Sequence, residues 1–274
     1  MHSDVIFSGG ELLSHREWVY AFLFAVAIIA GVVDAIAGGG GLITVPSLLL
    51  AGLPPMVVLG TNRLQAVIGE LTTSLMFIAS RQFPLQGMML GVLCTSIGAL
   101  CGAVAVSLID KAALEVLLEV LLPVLMVAIT LYSIFSRRLK ATKASEAKWP
   151  KRRFMLVAGL LIGFYNGFFG PGTGSLWMLG FVALLGYTLK QATMATKPLN
   201  LVGNLISLIL FIVLGQVDYQ LGLLMAAGQI IGSVVGSKFV MRFGTRLVRP
   251  VFISVTVLMT TKLIYENVAA IWWT

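Results

Sequence analysis

Charge is what this sequence has least of. Only 11% of its 274 residues are Asp, Glu, Lys or Arg, where a soluble domain carries about 25%. So few charges cannot cover a water-facing surface. A soluble enzyme, a disordered chain and a nucleic-acid-binding module are thereby excluded. Histidine is nearly missing too. His2 and His15 both precede the first apolar segment, so neither a Ser–His dyad nor a histidine metal site can be assembled at membrane depth. The phosphate-binding pattern G-x-x-x-x-G-K-[ST] is absent, and no soluble segment is long enough to house an ATPase. The chain is therefore expected to be no enzyme, to hold no metal or cofactor, and to draw on gradients or on a partner. The two cysteines, Cys94 and Cys101, lie seven apart in one apolar run. That spacing predicts one helix face and no disulfide between them.

What remains is apolar. Hydrophobic residues make up 58% of the chain, with 29 Gly, and the mean hydropathy is +0.99. A spanning helix needs roughly 20 apolar residues. The expectation is an all-α polytopic membrane protein of about 8–10 membrane segments, surrounded by a lipid bilayer. The segments read as 18–37, 42–52, 56–80, 86–108 and 113–135, then 154–169, 174–186, 198–214, 221–241 and 250–268. The second member of each set is too short to span a bilayer at 1.5 Å per residue. It is a half-helix, a re-entrant segment or a strongly tilted piece. The N-terminus carries Asp4, Glu11 and Glu17 against Arg16. A signal peptide wants a basic start, so a retained first helix is expected.

The net charge of +8 is concentrated in one place. Residues 137–153 hold eight basic residues against Glu146 alone. This is the signature of a cytoplasmic loop rather than of nucleic-acid binding. It divides the chain into a polar tail (1–17), a first membrane repeat (18–136), the basic loop (137–153) and a second repeat (154–274). The repeats are related by a constant offset. Gly31 to Gly38 falls on Gly163 to Gly170 with a shift of 132, so Asp34 faces Asn166. Past a short insertion the shift is 134, which pairs Arg63 with Lys197, Glu70 with Asn204 and Gly98 with Gly232. With the basic loop, Arg81, Lys190 and Arg242 to Arg249 all inside, the repeats come out inverted, a known transporter plan. Re-entrant short segments, with four crossings per half, would instead make them parallel.

Two glycine clusters carry the functional signal. Gly38 to Gly41 closes the first helix, and Gly170-Pro171-Gly172-Thr173-Gly174 closes its counterpart. Gly and Pro disfavour helix interiors, so both helices should break there and the short segments should start there. A helix start offers unpaired N–H groups and the positive end of a dipole. Irregular backbone at membrane depth is tolerated only when buried in protein or lining a wet cavity. Matching breaks thus point to a small-anion site between the halves; the alternative is that the glycines only permit close packing. The candidate substrate-binding residues are Gly39, Gly40, Gly41, Thr61, Asn62, Arg63, Asn166, Gly172, Thr173, Gly174, Lys197 and Asn200. Arg63 and Lys197 either neutralise the anion or snorkel to the interface. Asp34 and Glu70 are candidate proton carriers or structural ion-pair partners. Gly98-x-x-x-Gly102 and Gly232-x-x-x-Gly236 are close-packing pairs. They leave open whether the contact lies within one subunit or between the subunits of a homo-oligomer.

These residues carry a resemblance. AGVVDAIAGGGGLITVPSLLLAGLPPMVVLGTNRLQA (30–66) and GFYNGFFGPGTGSLWMLGFVALLGYTLKQATMATKPLN (163–200) resemble the first-repeat and second-repeat signatures of the TauE/SafE, or sulfite exporter, family. Within it they are closer to the YfcA-like branch. Asn166 stands where that branch commonly carries Asp. The resemblance implies a multi-pass permease of the bacterial inner membrane for small anions such as sulfite or organosulfonates, with related sulfur or carboxylate compounds included. It names neither the compound nor the direction. From other classes, a non-transporting membrane receptor or assembly factor and an anion channel stay open.

Overall fold

A computed structural model describes residues 9–82, 87–110, 144–244, 246–254, 257–258 and 261, with 9–16 by backbone only. The expected segment 113–135, most of the basic loop and the last dozen residues lie outside this description. Eight helices are named: α1 (Gly9–Ala37), α2 (Gly41–Leu50), α3 (Pro55–Ala79), α4 (Met89–Ser107), α5 (Lys151–Phe168), α6 (Thr173–Leu185), α7 (Leu189–Val213) and α8 (Tyr219–Phe243). Among the described residues there is no strand. Among the described residues four stretches are long and apolar enough to cross a membrane: Glu17–Ala37, Met89–Ser107, Leu189–Val213 and Tyr219–Phe243. The chain is an all-helical, multi-pass membrane protein.

The helix boundaries follow local chemistry. Pro54 and Pro55 start α3, where the missing N–H is one that a helix start leaves unpaired. Asp218 caps α8 by accepting from the Leu221 amide at 2.9 Å. α7 begins at Leu189, nine residues earlier than hydropathy predicts. Its first turns are polar, but Thr188 and Gln191 form a reciprocal capping box there. Pro198 then sits inside α7 without ending it. Both expected breaks occur. α1 stops where Gly38 turns to φ 71°, and α5 stops before Gly170 at φ 96° and Gly172 at φ 82°. These are left-handed conformations that glycine adopts without steric cost.

Glycine contacts reveal the direction of each helix. Gly228 lies beside Phe24 and Gly232 beside Ile28, so α1 and α8 run parallel. Gly98 lies against Leu160 and Gly102 against Phe164, so α4 and α5 also run parallel. α3 runs with α8, Gly222 against Leu64 and Gly69 against Gln229. It runs against α7, Gly60 touching Phe211 while Glu70 meets Asn204. α4 runs with α7, Gly91 lying against Leu199 while Leu100 shares a cleft with Leu210 and Val213. Each of α1, α3 and α4 therefore points opposite to its counterpart α5, α7 or α8. The short helices fold back. Val45 and Leu48 of α2 cluster with Leu23 and Ala27 of α1 and with Leu221 at the start of α8. The Leu184 carbonyl near the end of α6 accepts the amides of Lys148 and Trp149, just before α5 begins. The glycine pairs thus make contacts within the chain, whatever else they do. Of the cysteines, Cys94 is buried against Gly159 of α5, whereas Cys101 is exposed. The face that α5 covers drifts along α4, so their seven-residue spacing does not give them a shared environment.

Candidate functional site

The two breaks meet. A Cβ on Gly38 would lie 2.5 Å from the Gly174 carbonyl carbon, and Gly41 faces Pro171. No larger residue fits between these backbones, and the contact brings the starts of α2 and α6 together. The side chain of Asp34 accepts from the Gly40 amide at 3.3 Å, which ties the end of α1 to the start of α2. At the other start the amides of Gly174 and Ser175 have no backbone acceptor among the described residues. They are the unpaired donors a helix start leaves.

The two cations are placed with matching logic. Arg63 and Lys197 are both 0% exposed, so neither snorkels. Arg63, on α3 of the first half, donates to the carbonyls of Asn166 at 2.8 Å and Gly167 at 2.6 Å, in the last turn of α5. Lys197, on α7 of the second half, donates to the carbonyl of Asp34 in the last turn of α1 and pairs with the Asp34 carboxylate at 2.8 Å. Each half therefore holds the broken helix of the other by its carbonyl end. A helix end carries the negative pole of the dipole, so a cation is stabilised there. Arg63 also lies 4.8 Å from the ring centre of Phe211.

Beside the breaks lies a small polar cavity of about 20 Å³, room for roughly one water. Of the predicted substrate-binding residues, Gly40, Gly41, Asn62, Gly172, Thr173, Gly174 and Asn200 line it, together with Asp34 and Glu70. Gly39, Thr61, Arg63, Asn166 and Lys197 do not. Thr61 accepts from the amide of Asp218, and the Asn166 side chain is fully buried against Gly203, its polar atoms unpartnered. Gln65, Asn204 and Gln229 also line the cavity, though sequence reasoning had not placed them there. Asn62, Gln65 and Gln229 form a chain of amides. Thr44 and Gln65 both donate to Asn62 Oδ1, at 2.6 and 2.9 Å, and Gln229 donates to Gln65 Oε1 at 3.1 Å. Asn204 donates to Glu70 Oε2 at 3.0 Å. Gln65 lies one turn from Asn62 and so carried a weak periodic signal. Gln229 sits in an apolar helix of the other half and carried none.

Known proteins resemble this chain over nearly its whole length. Residues 23–263 match the family described as Sulfite exporter TauE/SafE. A probable membrane transporter protein of Haemophilus influenzae is 40% identical over 251 residues, covering 90% of this chain and 95% of that one. The probable membrane transporter protein YfcA of Escherichia coli is 38% identical over 245 residues, covering 89% of each. YunE of Bacillus subtilis, also a probable membrane transporter protein, is 22% identical over 269 residues, 91% of this chain and 98% of its own. No solved structure matches the chain. Two glycine-broken helices, opposed in direction and meeting at one polar cavity, are thus a feature of a chain that belongs to the sulfite exporter TauE/SafE family.

Proposed function

We propose that this protein is a secondary transporter for small anions, of which sulfite, organosulfonates and related sulfur or carboxylate compounds are the substrate class. It works in the bacterial inner membrane, without enzymatic activity. The observation that carries the reading is the meeting of both helix breaks at one polar cavity. The α6 start, whose Gly174 lines the cavity, has amides at Gly174 and Ser175 with no backbone acceptor among the described residues, and helix starts favour anions. Arg63 and Lys197 do not line the cavity. Lys197 is compensated by Asp34, but the buried charge of Arg63 still favours an anion nearby, since little water screens it.

The repeats 18–136 and 154–274 are, in this reading, inverted, with the basic loop 137–153 cytoplasmic. The opposed directions of counterpart helices support this, as does the exchange of helix ends between Arg63 and Lys197. The fold-back of α2 and α6 is compatible with it, because a helix that returns beside its predecessor leaves an odd number of crossings in each half. Coupling falls to the acids Asp34 and Glu70, the candidate proton carriers. Asp34 is engaged by Lys197, so Glu70 is the acid at which a driving cation acts. Flux of a sulfur-anion panel in proteoliposomes under imposed ion gradients tests the reading. Saturable, gradient-driven flux is expected. A sealed protein with no flux of any panel member overturns it, and flux without saturation makes it a channel.

A further inference from the structure

We infer that the cavity beside Glu70 is a sodium site, and that sodium is the ion whose gradient drives the transport proposed above. Three observations on separate residues converge. The first is charge. Two carboxylates line the cavity, but among the described residues only Asp34 is in a salt bridge. Asp34 is paired with Lys197, whereas Glu70, 2% exposed, is held by the neutral amides of Asn204 and Asn200. Among the described residues no Lys or Arg pairs with Glu70, and Arg63, seven residues away on α3, is spent on the carbonyls of Leu59, Asn166 and Gly167. A buried carboxylate with no salt bridge of its own is costly at this depth.

The second observation is an orphaned acceptor. Asn200 Oδ1 is buried, lines the same cavity and has no hydrogen-bond donor. The other amide oxygens around it, Asn62 Oδ1 and Gln65 Oε1, already accept. A hard cation supplies what both groups lack, positive charge for the carboxylate and an electrophile for the amide oxygen. The third is size. A space of about 20 Å³ is close to the size of one water, which suits a single small ion. Among the described residues no cluster of three His, Cys, Asp or Glu exists, so a transition metal has no site. One carboxylate outside a salt bridge and one neutral amide oxygen match the single charge of a monovalent ion, whereas Mg²⁺ and Ca²⁺ take sets of several oxygen ligands. A sodium ion here also places a positive charge beside the helix starts. It would raise anion affinity, and the anion would raise sodium affinity by the same factor.

The test is equilibrium binding of radioactive sodium to the purified full chain in lipid nanodiscs, with no anion substrate present. Saturable binding at one ion per chain is expected, displaced by unlabelled Na⁺ but not by K⁺ or choline. Glu70→Gln should weaken it about a hundredfold, as removal of one member of a buried charge pair implies. Asn200→Asp, which keeps the oxygen, should retain it. No saturable binding to the wild-type chain, or equal displacement by K⁺, overturns the site whatever the variants do. Sulfite flux driven by a pH gradient in sodium-free buffer also overturns it, because the proton is then the ion, while the transporter reading stands. Saturable sodium binding with no flux of any panel anion keeps the site and removes the transporter reading.

Discussion

The guanidinium of Arg63 donates to the main-chain carbonyl of Asn166 at 2.8 Å, across the boundary between the two halves of the chain. Lys197 makes the counterpart contact with Asp34. The residues related by the internal offset therefore form two related braces, each fixing the helix break of the opposite half. Disturbing one brace should be felt at both breaks.

Lys197→Gln leaves the Asp34 carboxylate unpaired at the end of α1. We expect a loss of about 3 kcal/mol, the cost of orphaning one member of a buried pair. Asp34→Asn added to Lys197→Gln should restore part of it. Thermal unfolding in detergent, run as a double-mutant cycle, measures the coupling. Additive losses would mean that the pair contributes nothing beyond its separate members.

Gly102→Ala should destabilise the bundle by about 3 kcal/mol, because the added Cβ would lie 2.0 Å from the Phe164 carbonyl oxygen. Gly232→Ala meets the Ile28 carbonyl oxygen at 2.1 Å and should behave alike. Gly215→Ala is the control. Nothing lies within 4 Å of its Cβ, so only its φ of 66° opposes the change, at about 1 kcal/mol. Unfolding temperatures of the three variants should separate accordingly. A Gly102→Ala as stable as Gly215→Ala would show that α4 and α5 can move apart.

Ala147 is exposed in the described end of the basic loop. In an otherwise cysteine-free chain, Ala147→Cys should resist an impermeant thiol reagent in intact cells and react after permeabilisation. Labelling from outside would invert the proposed orientation.

Gly39→Leu and Gly172→Leu add bulk at the two breaks. Both should abolish anion flux while monodisperse protein persists, although Gly172, at φ 82°, also incurs about 1–2 kcal/mol of backbone strain. Retained flux in both would make the breaks packing features. Gly172→Ala, with the same strain and little bulk, separates strain from obstruction.

Much of this protein is determined by its sequence alone. The low charge requires a membrane, because only lipid tolerates so much apolar surface. Gly38 and Gly170 end their helices, because the left-handed backbone there disfavours other residues. The constant offset between Arg63 and Lys197 is enough to mark them as counterparts. Of their partners only the Asp34 carboxylate, which pairs with Lys197, could be read in the same way. The others are main-chain carbonyls of Asp34, Asn166 and Gly167, and every residue has a carbonyl, so composition and spacing carry no trace of that choice. The polar cavity is a tertiary result as well. Glu70, Asn200 and Gln229 come from three helices, and only packing decides which of their polar atoms meet a partner and which face an unfilled space. Sequence thus determines where the chain must break. The close approach of Gly38 to Gly174 decides what the breaks enclose, because contact between backbones depends on helix crossing rather than on any local pattern.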